Sequence, residues 1–175
     1  MNAFISGQQK LIPAVLLYAF YQDQVLMMHR NLRSGDVHQQ KWNGLGGKVE
    51  KGETVLEAAC REFQEEAHVH TTQNQWNWAG QLHFPEFKPA QNEDWWVTVF
   101  TATLTDEQIK KIPFAQALPH AEGTLHLIPQ AQIGDLNLWE GDHFFIPHVI
   151  ERIPFYGTFF YQDGRCLKHE LHRVG

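Results

Sequence analysis

Between residues 46 and 69 the chain reads GGKVEKGETVLEAACREFQEEAHV, with six glutamates in 24 residues and three of them, Glu62, Glu65 and Glu66, within five. Like charges three and four apart on a helix repel one another, so such crowding needs either a positive counterpart or a fully wet face. On a helix advancing about 100° per residue, Leu56, Ala59, Cys60, Phe63 and Ala67 fall on one stripe, which reads as a core face. Glu62, Glu65 and Glu66 form a second stripe directly beside it, while Glu57 and Gln64 face the other way. The carboxylates therefore border buried surface. Arg61, the nearest base, projects about 100° away from Glu62 around the helix, which leaves the repulsion unrelieved. The helix is entered through GLGGKVEKG, whose glycines let backbone carbonyls approach a ligand closely. Carboxylates and carbonyls are hard oxygen donors, suited to Mg²⁺ or Mn²⁺ rather than to zinc. Divalent cations on the acidic stripe would give the crowding its cause.

The elements that must position these groups are legible along the chain. Thr54 is placed to cap a helix over 54–67, with Glu57 three residues later completing a capping box. LIPAVLLYAFY (11–21) and VLMMHR (25–30) read as apolar strands joined by a turn at Gln22–Gln24. The first ten residues read as loose, 31–40 as a polar loop, and the four glycines of WNGLGGKVEKGE (42–53) as irregular backbone. Further strands are expected at Trp78–Phe87, Trp95–Leu104 and 123–129, and a short capped helix at Thr105–Lys111. A helix is expected at His143–Arg152, and a closing hairpin around Asp163-Gly164. This irregular alternation implies a mixed sheet covered by helices.

The totals narrow the function. A chain of 175 residues, 43% hydrophobic and 19% charged, is expected to form one domain with an ordinary core rather than a disordered segment. A net charge of −6 gives no electrostatic reason to bind a nucleic-acid polymer, but leaves open a small anionic substrate bridged to carboxylates by cations. Cys60 and Cys166 form no CxxC pattern and read as reduced thiols of a cytoplasmic protein. The run Leu11–Tyr21 is too short to span a bilayer and contains Pro13, so it reads as a buried strand and not as an anchor or signal. The histidines at 68, 70, 169 and 172 have neither cysteine partners nor an HExxH pattern to define a zinc site.

From Gly47 the chain has five residues, Glu53, seven residues, then Arg61-Glu62-Phe63-Gln64-Glu65-Glu66-Ala67-His68-Val69. This closely resembles the Nudix box, G-x5-E-x7-R-E-U-x-E-E-x-G-U with U a bulky apolar residue, and eight of its nine defined positions match. The departure is His68 in place of glycine, at a position following the helix where a left-handed backbone is expected. Histidine there should cost about 1 kcal/mol relative to glycine. The resemblance implies a Nudix fold, with a mixed sheet between helices, and a hydrolase that cleaves nucleoside diphosphate derivatives with Mg²⁺ or Mn²⁺. It implies metal at Glu62, Glu65, Glu66 and the Gly47 carbonyl, and a structural pair between Glu53 and Arg61. A box glutamate, or Glu122 in PHAEGTLHLIP, would take a proton from the attacking water.

The flanks speak to the substrate. KWNGLGGKVEKGET and LWEGDHFFIPHVIERIPFYGTFFYQDG resemble the corresponding stretches of the MutT-type enzymes that hydrolyse oxidised purine nucleoside triphosphates. That resemblance implies that Asn43 bonds the base edge, Trp139 stacks on it and Asp142 reads its Watson–Crick face, with Gly46 and Lys48 also touching substrate. A carboxyl that exchanges its proton can meet either of two base tautomers, since it donates when protonated and accepts when ionised. Plainer readings stand beside these: a turn at Asn43-Gly44, a core aromatic at Trp139 and a helix N-cap at Asp142. The oxidised-purine enzymes present two adjacent aspartates where this chain has Gly141-Asp142. That difference leaves open another Nudix substrate, such as a nucleotide sugar, ADP-ribose or a pterin triphosphate. A non-catalytic nucleotide sensor of the same fold is a third reading, though such modules usually lose the box acids that are all present here.

Overall fold

Strand β1 (Lys10–Tyr21) is the axis of the molecule. The computed structural model describes residues 9–31, 40–117 and 122–175, so most of the expected loose N-terminal segment and of the 31–40 loop lies outside the described residues. One long edge of β1 pairs in parallel with β6 (Glu93–Thr103). Its other edge is shared antiparallel between β4 (Leu45–Lys48) along Ala14–Leu17 and β2 (Gln24–His29) along Ala19–Tyr21. Outward from β6 the sheet continues through β5 (Asn77–Lys88), β8 (Phe155–Gln162) and β9 (Arg165–Arg173). Strand β2 in turn carries the two-residue β3 (Trp42–Asn43) and β7 (Thr124–Pro129).

Alternation along β1 sorts its side chains to two cores, as the period of two in a strand requires. Val15, Leu17 and Ala19 meet Ala58, Ala59, Phe63 and Ala67 of α1 (Val55–Ala67). Ala14, Tyr18 and Phe20 join Phe145, Ile146 and Val149 of α3 (Asp142–Glu151) on the opposite face. The unbroken apolar run of β1 thus reflects burial on both sides. The fold is a mixed sheet between helices, the architecture expected from the sequence. A four-residue helix, α2 (Asp106–Ile109), starts under a Thr105 cap in the expected place.

Helix α1 begins as the sequence predicts. The Thr54 hydroxyl accepts from Glu57 N–H at 3.2 Å and the Glu57 carboxylate accepts from Thr54 N–H at 2.8 Å. It ends at His68, which adopts the left-handed conformation at φ 57° and ψ 27° and donates its N–H to the Gln64 carbonyl. Two details differ from expectation. Ala58 is fully buried with Ala59, Phe63 and Ala67, whereas Leu56 and Cys60 of the predicted stripe are only partly buried at its edge. The glycine-rich 42–53 segment is not wholly irregular, since β3 and β4 form within it and pair with β2 and β1. Glycine disfavours a strand by entropy, but here absent side chains let the backbone press against β1. A Cβ on Gly46 (φ +142°) would stand 2.1 Å from the Val15 carbonyl oxygen.

Candidate active site

Helix α1 and strand β4 place the acidic residues. Glu66 is folded back onto the loop, its carboxylate accepting the Gly46 N–H at 2.8 Å. Glu62 lies against Gly47 so closely that a Cβ there would be 2.3 Å from Glu62 Oε1. Gly46 and Gly47 therefore let two carboxylates and the loop backbone share one small volume. Glu65, one turn along from Glu62, is exposed.

Arg61 corrects the expectation of unrelieved repulsion. Its Nε and Nη2 fork onto the Glu53 carboxylate at 2.8 and 3.0 Å, and Nη2 also donates to the Lys48 carbonyl at 3.0 Å. Its Nη1 reaches Glu62 at 2.8 Å and Glu65, four residues on, at 3.3 Å. A helical angle describes where a side chain leaves the backbone. Arginine's long stem carries its charge well past that direction.

Glu66 remains short of positive charge. Burial pushes its carboxyl up to about 8, against the pull of the Gly46 N–H, and the neighbouring charges of Glu62 and Glu122 add to the rise while Arg30 opposes it. Burial likewise raises Glu62, with Arg61 acting against the rise. Glu122 is ion-paired to Arg30 Nη1. The structure thus sets Arg30 and Glu122 beside the acidic helix from a different part of the chain. Lys48, at the end of β4, is exposed and holds its ammonium 5.1 Å from the centre of the Trp95 ring.

A second polar cluster forms where α3 begins. Gly141 holds the cap position, and Asp142 is the first helical residue with no capping bond from a side chain. Burial raises the Asp142 carboxyl to about 7, with Lys41 pulling it down. The Lys41 ammonium donates to the Leu138 carbonyl at 2.8 Å and lies 5.2 Å from the centre of the Trp139 ring. Tyr18, fully buried, feels the Asp142 charge and packs beside Gly44. Among the described residues, neither the Tyr18 hydroxyl nor the buried Asn43 Oδ1 has a hydrogen-bond partner, and each such group costs about 1–3 kcal/mol unless something binds it.

The segment Lys41–Lys48 joins the two clusters. One end is tied to the chain before α3, where Trp42 N–H donates to the Asn137 carbonyl at 3.1 Å. The other end carries the Gly46 amide and the Gly47 cradle against α1. Four residues from Asn43 to Gly47 span at most about 14 Å of chain. Neither Tyr18 nor Tyr161 belongs to a sequence motif. Alternation in FYGTFFYQ places Phe155, Gly157, Phe159 and Tyr161 on the inward face of β8, and that pattern carries the signal for Tyr161.

A NUDIX domain family model matches residues 10–143. The chain belongs to the Nudix family and is a hydrolase. The oxidized purine nucleoside triphosphate hydrolase of Mus musculus is 29% identical over 139 residues, 77% of this chain and 79% of its own length. The protein of the same name from Danio rerio is 28% identical over 148 residues. Among solved structures, the MutT protein from Bacillus halodurans superposes with a TM-score of 0.72 at 25% identity, covering 91% of this chain and 97% of that one. The MutT protein from Methanosarcina mazei Go1, at 18% identity and a TM-score of 0.60, shares the fold.

Nudix hydrolases use divalent cations on small nucleotide substrates. Among the described residues no three His, Cys, Asp or Glu side chains are already gathered around one point. The donor chemistry nevertheless fits a divalent cation. Glu62, Glu65 and Glu66 supply hard oxygens on neighbouring turns, and the absent side chain at Gly47 lets the Glu62 carboxylate lie against the loop backbone. Glu66 is raised by burial first and by the charges of Glu62 and Glu122 after it, which a cation would relieve.

Proposed function

We propose that the chain hydrolyses an oxidised purine nucleoside triphosphate, 8-oxo-dGTP or a close relative, adding water to release the nucleoside monophosphate and pyrophosphate. Its role would be nucleotide-pool sanitation in the cytoplasm. The observation that carries the reading is the single short segment Lys41–Lys48, which ties a half-buried cluster around Asn43, Trp139 and Asp142 to the acidic helix. One nucleotide could then lie with its base at one end and its phosphates at the other. The names of the mouse and zebrafish relatives support the same substrate class.

Glu62, Glu65, Glu66 and the Gly47 carbonyl would hold Mg²⁺, with Mn²⁺ as the alternative, which when bound supplies charge neutralisation on the phosphate oxygens. The Arg61–Glu53 fork fixes the 48–53 loop against α1 so that Gly47 stays seated on Glu62. A carboxylate of the box, or Glu122 as oriented by Arg30, accepts the proton of the attacking water. At the other end Trp139 offers a face for stacking. Asp142, whose carboxyl changes state near neutrality, donates to or accepts from the base edge according to its proton.

The test is a substrate panel with purified protein and Mg²⁺, reading the released groups. Release of pyrophosphate and monophosphate from 8-oxo-dGTP is expected. If both 8-oxo-dGTP and dGTP survive while a nucleotide sugar, ADP-ribose or pterin triphosphate is cleaved, the substrate assignment falls.

A further inference from the structure

The glycine at position 141 has a physical counterpart 20 residues away. The Gly141 N–H donates to the Tyr161 hydroxyl oxygen at 2.7 Å. A Cβ on residue 141 would stand 2.5 Å from that same oxygen and 2.9 Å from a ring carbon of Phe159. A side chain at 141 and a hydroxyl at 161 thus exclude one another. The ring of Tyr161 is fixed on several sides. Trp139 meets it edge to face at 6.1 Å, Phe87 at 6.3 Å in the same manner, and Phe84 tilts against it at 6.1 Å.

We propose that Tyr161 is a specificity-determining residue, donating its hydroxyl proton to the substrate base in the space that a side chain at position 141 would otherwise fill. This rests on the purine-binding reading above. The phenol oxygen already accepts from Gly141, and among the described residues no acceptor takes its proton. Burial first, and then the charge of Asp142, raise the phenol well above its usual range, so it stays protonated at any pH the protein meets. The pair facing the base is therefore one permanent donor and one switchable carboxyl. Two carboxyls could each donate or accept and so suit either kind of base edge. A fixed donor selects for an acceptor opposite it, such as the carbonyl of a guanine-type base. An adenine-type amino group in that place would leave the phenol proton unpaired, a costly arrangement in a buried site. The inferred substrate class is 6-oxopurine nucleotides over 6-aminopurine nucleotides.

The experiment compares wild type with Tyr161→Phe, which keeps the ring and deletes the hydroxyl, by calorimetric binding of guanosine and adenosine monophosphates. Wild type is expected to prefer the guanosine compound by about tenfold, and the variant to lose that preference, guanosine affinity falling and adenosine affinity rising as the unpaired phenol proton is removed, with the circular dichroism spectrum unchanged. Gly141→Ala, whose methyl would displace the hydroxyl, should reproduce the loss. Equal weakening toward both bases, the mark of a merely structural role, overturns the inference, and so does an unchanged preference. Discrimination between the monophosphates without cleavage of any triphosphate would refute the catalytic reading and leave this one standing.

Discussion

Asp142 couples the site to the stability of the whole chain. In the unfolded protein its carboxyl titrates near 3.8, and in the fold burial raises it to about 7. Between these values the folded chain keeps a proton that the unfolded chain has lost. The stabilisation is therefore fully present below 3.8 and disappears as the pH climbs through 7. At about 1.4 kcal/mol per pH unit, the interval amounts to about 4 kcal/mol at most. A loss of that size is a large share of the roughly 5–15 kcal/mol that holds a domain together. Asp142→Asn keeps the size and polarity of the side chain while removing the titration. Urea unfolding of both proteins at about pH 4 and about pH 8.5 isolates its share, because the other carboxyls, Glu66 included, cancel in the difference. The variant should gain on wild type by up to about 4 kcal/mol toward the alkaline end. A stability difference between the two that stays flat with pH would refute the reasoning.

Three further outcomes are expected. Glu65→Gln and Glu66→Gln should each lower turnover of the preferred nucleotide by about 100-fold or more with the circular dichroism spectrum unchanged, and full activity in both would remove the metal role. Gly47→Ala would drive a methyl into the Glu62 carboxylate and displace it by an ångström or so, which should cost roughly 100-fold in kcat, read by steady-state kinetics. His68→Gly relieves a left-handed residue and should raise stability by up to about 1 kcal/mol, seen as a higher urea midpoint.

The parts of the molecule that the sequence reveals are those with local causes. Thr54 and Glu57 announce the start of α1 because their bonds span three residues, and β1 is visible as an apolar run because both its faces are covered. What escapes the sequence depends on partners far along the chain. The Gly46-Gly47 stretch reads as loop chemistry until β1 supplies a strand for it to pair with. Arg61 leaves the helix about 100° from Glu62, and its stem bends back to reach it. Gly141 is plainly a departure in its motif, yet the tyrosine hydroxyl that fills its space comes from β8.

Among the described residues strand β4 pairs in the sheet with β1 alone, the strand enclosed by both cores. Central strands open last, at free energies approaching that of complete unfolding. Through those bonds the backbone under Gly46 and Gly47 is tied to the part of the sheet expected to open last, unlike a site borne on a free loop. Heating should inactivate this hydrolase and unfold it along one coincident curve, with no intermediate temperature at which the chain is intact but idle.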